Sequence, residues 1–241
     1  MAHRYFASEF GGNFAALTGP EARHLGKVLR AQVGQTVTLC DGVGTDYDAA
    51  ITGIDSDRVE FSLSNARPTD AEPATRVTLF VGYPKQDKLE QIVQKGVELG
   101  AVQIVPFFSR FCVVTPKKED QKNVRYNRIA AEAAKQCGRG RLPDVAMPMD
   151  FAHLPIAMKD YDAVLFCYEL GGEPLRTVAP PLAGQKLALI TGAEGGFAPE
   201  EAKTLIEAGA IPIGLGPRIL RCETAPVAGL AALMALCGEF E

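Results

Sequence analysis

The sequence lacks the patterns that announce a metal or redox centre. Its six cysteines, Cys40, Cys112, Cys137, Cys167, Cys222 and Cys237, are scattered, with no Cys-x-x-Cys pair, so neither a zinc ribbon nor a thioredoxin-like site is expected. Its three histidines, His3, His24 and His153, form no His-Glu-x-x-His pattern. No metal is expected. The longest stretch of small apolar residues, Ala225 to Cys237, is too short to span a bilayer and reads as a buried helix. The opening Met1-Ala-His-Arg-Tyr-Phe6 carries no apolar run of the secretory kind. Together with thiols expected to stay reduced, this points to a cytoplasmic protein with no membrane association. There is no internal repeat and no low-complexity tract.

What is present is the balance of a soluble globular protein. Of 241 residues, 47% are apolar and 22% charged, enough to bury a core without disulfides and to form two unequal domains. The net charge of −4 is unevenly spread. Between Arg110 and Arg141 stand nine Lys or Arg (Arg110, Lys117, Lys118, Lys122, Arg125, Arg128, Lys135, Arg139, Arg141) against three acids, a local +6 that leaves −10 for the remainder. Such segregation is a weak nucleic-acid signature, and a solvated helix face explains it equally well.

Two rhythms divide the chain. Residues 1–70 read as β-rich: Thr36–Cys40, Asp48–Thr52 and Arg58–Leu63 have strand patterning, with turn chemistry at Asp41-Gly42 and Asp55-Ser-Asp57. Pro20 to Arg30 has helical spacing. Several short strands and one small helix predict a small barrel. Residues 66–74, with two prolines and no periodicity, read as the linker. Beyond it strands alternate with helices, the pattern of a largely parallel α/β sheet: strands at 76–81, 102–106, 163–167, 186–190 and 211–215, and helices at 88–99, 124–137, 199–208 and 226–236.

Two loops carry the chemistry. Strand 186–190 runs into Thr191-Gly-Ala-Glu-Gly-Gly-Phe197 and then into a helix with Pro199 at its first position. Strand, glycine turn and helix make the usual shape of a nucleotide site. The loop has no Gly-Lys-Ser/Thr ending and no Gly-x-Gly-x-x-Gly. Glu194 in the turn, with Glu200 and Glu201 behind it, would repel phosphate, so a cationic ligand without phosphate fits better. The second loop, Leu215-Gly-Pro-Arg-Ile-Leu-Arg-Cys-Glu-Thr-Ala225, follows the next strand, and loops after adjacent strand ends face the same crevice.

Gly-x-Glu-Gly-Gly followed by Leu-Gly-x-Arg-Ile-Leu-Arg-x-Glu-Thr-Ala resembles the signature of the ribosomal RNA uridine-N3 methyltransferases (RsmE-like), in the SPOUT class of knotted RNA methyltransferases. The likeness extends to Arg4-Tyr-Phe6, His24-Leu-Gly-Lys-Val-Leu-Arg30, Lys85-Gln-Asp-Lys-Leu-Glu90, Gln94–Gly100 and Gln136-Cys-Gly-Arg139. It implies a PUA-like RNA-binding barrel over 1–70 and, over 74–241, a SPOUT domain with a parallel sheet and a deep trefoil knot. It also implies a homodimer, S-adenosylmethionine as cofactor, and small-subunit ribosomal RNA or the assembled subunit as substrate. Two other readings stay open: a SPOUT enzyme acting on another ribosomal or transfer RNA base, and a non-enzymatic RNA-binding assembly protein. The chain departs from the family at Ala193, where proline is usual, and at Ala198, where a Ser or Thr cap would be.

On this reading the cofactor is held by Thr191, Gly192, Glu194, Gly195 and Gly196 in the first loop and by Leu215, Gly216, Ile219, Leu220, Thr224 and Ala225 in the second. The end of strand 163–167, near Tyr168 and Glu169, adds a ribose contact. Arg221 is the candidate for stabilising a uracil anion or holding its phosphate, and Glu223 for orienting Arg221 or accepting a proton, or simply for facing a helix dipole. Arg125, Arg128 and Arg139, on or just past one helix face, are candidate RNA contacts, as are Arg4 and Arg30 in the small domain. His24 reads as a packed or hydrogen-bonded histidine.

Overall fold

The computed structural model describes residues 4–113 and 119–241; Lys117 and Lys118 of the basic segment lie outside them. The chain forms two compact units. One comprises Met1–Glu72 with Ala134–Leu142, the other Pro73–Ala133 with Pro143–Glu241.

The first unit is built on β1 (Arg4–Phe6), β2 (Glu9–Gly11), β3 (Phe14–Thr18), the short α1 (Gly19–Arg23) running into a π-turn at His24–Val28, β4 (Thr36–Cys40), β5 (Thr45–Ile54) and β6 (Arg58–Pro68). The sheet order is β1-β4-β5-β6-β3-β2, antiparallel except for β1 against β4. β1 and β2 sit at opposite edges, yet only Ala7 and Ser8 separate them in the chain. So short a link spans about 10 Å, so the sheet must curl until its edges approach. The Ser8 amide accordingly donates to the Ala16 carbonyl on β3 (2.9 Å). Tyr5, Leu17, Leu25, Leu39, Ile51 and Phe61 fill the curl. This is the barrel-like sheet that the short strands predict. Two expectations change. β6 runs on to Pro68, into the stretch read as linker. His24 is exposed rather than packed.

Ala134–Leu142 completes this unit from far along the chain. Glu72 accepts from the Gly140 and Arg141 amides (both 2.9 Å) and pairs with Arg139 (2.9 Å), while Cys40 Sγ donates to the Gly140 carbonyl (2.9 Å). A contiguous split into 1–70 and 74–241 assigns this segment to the other domain.

The second unit alternates strand and helix: β7 (Arg76–Gly82), α2 (Lys88–Glu98), β8 (Gln103–Phe108), α3 (Glu119–Cys137, whose last turn belongs to the first unit), β9 (Asp144–Val145), β10 (Met149–Asp150), α4 (Leu154–Ala157), β11 (Ala163–Cys167), β12 (Glu173–Pro174), α5 (Leu175–Val178), β13 (Lys186–Thr191), α6 (Pro199–Glu207), β14 (Ile211–Gly214) and α7 (Thr224–Leu236). Every described pairing in its sheet is parallel, in the order β10-β8-β7-β13-β11-β14-β12, with β9 beside β8. The inner strands are continuous apolar runs because helices cover both faces. Phe80, Phe107, Phe166, Ile190 and Phe197 form the core of one face. On α2, Leu89, Ile92, Val93 and Val97 fall on one side and are buried. The helix ends in a Schellman turn: Gly100, with φ of 97°, donates to the Val97 carbonyl and Ala101 to that of Gly96.

The strand order corrects one expectation. β13 and β14 are not neighbours; β11 lies between them. The chain leaving β14 returns past β11, because α7 packs on β13, β7 and α2.

Candidate functional site

Parallel strands leave a crevice beyond their carboxyl ends. Here the ends of β11, β13 and β14 open on a cavity of about 620 Å³, within the range that binds small ligands. Three segments line it: Cys167–Glu169 with Gly171, Thr191–Phe197, and Gly214–Cys222 with Ala225 behind.

The middle segment is a tight turn. The Gly196 amide donates to the Ala193 carbonyl (3.0 Å), and Gly196 has φ of 65°, which favours glycine. Gly82, at the end of β7, supports the turn from below. A Cβ there would lie 2.3 Å from the Ala193 nitrogen, so only glycine allows this approach. Ala198 offers no side chain to cap α6, as expected. Glu201 supplies the bond instead, accepting from the Ala198 amide (2.9 Å) and from the Arg110 amide (2.8 Å) of the loop after β8. The Thr191 hydroxyl oxygen, wholly buried beside the cavity, has no hydrogen-bond partner among the described residues. A buried polar atom of this kind needs a ligand or water to satisfy it.

The charges are arranged around Lys88, in the first turn of α2. Its ammonium meets Glu194 Oε1 (3.1 Å) and Glu223 Oε2 (3.2 Å). Burial would raise the Glu194 carboxyl, but the Lys85 amide and Lys88 outweigh it and hold that group below the ordinary range. Glu223 is held low as well, first by its own backbone amide, then by Cys222 and Lys88. Burial, helped by the neighbouring carboxylates, pushes the Cys222 thiol up to about 12. Glu194 is therefore already matched to a cation and is not free for a cationic ligand. Glu169, exposed and beside Gly196, has no ion-pair or hydrogen-bond partner among the described residues.

All the residues expected at the cofactor line this cavity except Thr224. Arg221 lines it too, with its guanidinium exposed and no side-chain partner among the described residues. Glu223 stands behind the wall and faces Lys88 and Cys222, not Arg221. Sequence reasoning missed the contributions of Cys167, Gly171 and Cys222, and gave Lys88 no role. The signal for Lys88 was faint: its two carboxylate partners lie more than a hundred residues further along the chain.

The candidate RNA arginines separate into two groups. Arg30 is exposed, with φ of 52°. Arg128 is 73% exposed, with a long contact to Glu132 (3.6 Å), and Arg125 is half-exposed and paired with Glu90 (2.8 Å). Arg4 and Arg139 do not fit the expectation. Arg4 is bound to Asp46 and Thr69, and Arg139 is buried against Glu72. Both hold the first unit together rather than offering charge to a phosphate.

The chain matches two family models, an RNA methyltransferase domain over residues 71–234 and an RNA methyltransferase PUA domain over 17–64. It is 34% identical to the ribosomal RNA small subunit methyltransferase E of Bacillus subtilis, over 90% of this chain and 88% of that one. It is 31% identical to the protein of the same name from Synechocystis, over 91% and 72%. The crystal structure of the ribosomal RNA small subunit methyltransferase E of Neisseria gonorrhoeae, bound to S-adenosylmethionine, superposes with a TM-score of 0.86 at 29% identity, covering 98% of each chain. The curled sheet and the parallel sheet are thus those of a known enzyme class, and the chain belongs to the ribosomal RNA small subunit methyltransferase E family.

Proposed function

We propose that this protein methylates N3 of a uridine in small-subunit ribosomal RNA, using S-adenosylmethionine. The observation that carries the reading is the cavity itself. It is walled by backbone at two glycine-rich loops, holds a Thr191 hydroxyl with no hydrogen-bond partner among the described residues, and has its lining arginines, Arg218 and Arg221, on the second loop alone. When bound, S-adenosylmethionine supplies an electrophilic methyl group and leaves as a neutral thioether. Backbone groups of Gly192–Gly196 and Leu215–Leu220 hold its adenosine. Glu169 is the carboxylate available to its cationic part or its ribose.

On the RNA side, N3 must lose its proton as the new N–C bond forms, and negative charge spreads over O2 and O4. Arg221, exposed at the cavity and without a side-chain partner among the described residues, stabilises that charge. Glu223 is less suited to take the proton, because Lys88 and Cys222 hold its carboxylate ionised and engaged. Arg30, Arg125 and Arg128 provide cationic surface for the RNA backbone. N3 lies on the pairing edge, so the uridine must be unpaired or flipped out. The same reading includes a homodimer and a deep trefoil knot, supported by family membership and by the return of the chain across β11.

Calorimetry with S-adenosylhomocysteine tests the site, and mass mapping of ribosomal RNA from a deletion strain tests the substrate. A single uridine is expected to lose its methyl group, and Arg221→Ala is expected to lower kcat at least a hundredfold (roughly 3 kcal/mol) while leaving cofactor affinity nearly unchanged. No cofactor binding, or an unchanged uridine pattern, would overturn the reading.

A further inference from the structure

Lys88 bonds simultaneously to Glu194 of the 191–197 loop and to Glu223 at the end of the 214–223 segment, with Cys222 Sγ 3.6 Å away. Both segments contribute residues to the lining of the cavity. They follow β13 and β14, which β11 keeps apart in the sheet, so no strand ladder fixes the gap between them. The Lys85 amide adds a second bond to the same Glu194 oxygen (3.0 Å), so the start of α2 grips the first loop at two points. Lys88 itself does not line the cavity.

We infer that Lys88 is a positioning residue, a clasp that draws the two loops together and sets the width of the cofactor cavity. This rests on the cavity being the cofactor site. The physical argument is one of charge. With Lys88 present, two carboxylates share one cation. Without it they become neighbouring like charges in a partly desolvated place, and each pushes its own loop away from the other. Each pair is partly exposed and alone would contribute little. The consequence comes from sharing, because one substitution removes a bond to each loop at once and leaves the Lys85 amide alone on Glu194. Arginine can keep the arrangement, since its fork reaches two carboxylates.

The test is calorimetric titration of the full chain with S-adenosylhomocysteine, comparing wild type with Lys88→Met, Lys88→Arg, Glu194→Gln/Glu223→Gln and the triple variant. Lys95→Met, on the same helix but paired only with Glu98, serves as the control. Lys88→Met is expected to weaken binding about tenfold (~1.4 kcal/mol), and Lys88→Arg to recover most of it. The Glu194→Gln/Glu223→Gln protein should bind several-fold more weakly than wild type, and adding Lys88→Met to it should change little further, the non-additivity expected of groups acting through one another. Melting temperatures without ligand should stay close to wild type. A Lys88→Met protein that binds like wild type overturns the clasp while leaving the cavity's assignment intact. So does an undiminished effect of Lys88→Met in the background lacking both carboxylates. If Lys88→Met fails to fold, wild-type affinity in the Glu194→Gln/Glu223→Gln protein overturns the clasp by itself. Absence of binding by wild type removes the assignment of the cavity, and the clasp with it.

Discussion

Gly82 and Cys222 show how single atoms constrain the site. A methyl group on Gly82 meets backbone, not a movable side chain, because the nearest atoms belong to Gly192 and Ala193. Gly82→Ala must therefore displace the turn that walls the cavity. We expect a loss of about 1–3 kcal/mol in stability by urea unfolding, the usual cost of forcing extra volume into a packed place. Weaker binding of S-adenosylhomocysteine should accompany it. Cys222 makes a different prediction. It is 6% exposed, and its thiol is pushed up to about 12, first by burial and then by Glu223 and Glu194. The thiolate is the reactive form, so almost none is present at pH 8. Iodoacetamide at that pH should leave the Cys222 peptide unmodified in the folded protein and label it in urea. Rapid labelling of the native protein would contradict both the burial and the charge environment described above.

Among elements, α6 and the glycine turn depend on one buried carboxylate. Glu201 satisfies two amides, Ala198 at the start of α6 and Arg110 in the loop after β8. Glu201→Ala leaves both without a partner, and a destabilisation of about 2–4 kcal/mol is expected by thermal or urea unfolding. Glu201→Gln, which can still accept one bond, should lose about half as much. The sequence carried part of this. The missing cap at Ala198 was legible, and so was the glutamate three positions on, but the second amide comes from residue 110 and has no local trace. Helix α2 was legible because its apolar positions recur at three- and four-residue steps and glycine follows it, and α7 because it is a long run of small apolar residues. The order of the strands was not. β13 and β14 are consecutive in sequence and separated in space, since parallel strands find their neighbours through crossovers whose course no local pattern records. For the same reason the loop residues that line the cavity were legible, whereas Lys88, which joins the loops from α2, was not.

Across the whole molecule, the basic surplus between Arg110 and Arg141 performs two jobs that sequence spacing cannot separate. A charge recurring every third or fourth residue marks a helix face whether that face meets solvent or a carboxylate. Arg128 meets solvent, and Arg139 meets Glu72. Arg128→Glu should weaken RNA binding and its salt dependence while leaving S-adenosylhomocysteine binding unchanged. Arg139→Ala should do the reverse in kind. It removes the cation from a part-buried carboxylate that keeps its two amide donors, which costs about 1.5–3 kcal/mol, the usual worth of hydrogen bonds to a charged group, and it should lower the melting temperature without altering the salt slope of RNA binding in the protein that remains folded. Equal effects of the two substitutions on the salt slope would show that the burial of Arg139 does not govern its role.

The segment Ala134–Leu142 also bears on how the protein is made. Chains leave the ribosome from the amino terminus, and domains generally fold as they emerge. The strands of the curled sheet are synthesised before the second unit, but Glu72 and Cys40 find their partners only in residues 139–141. The unit that begins the chain is thus among the parts that must wait. A nascent chain arrested just beyond residue 72 should be readily cut by protease, and one long enough to release residue 142 should resist, so that protection of the first unit appears in a single late step.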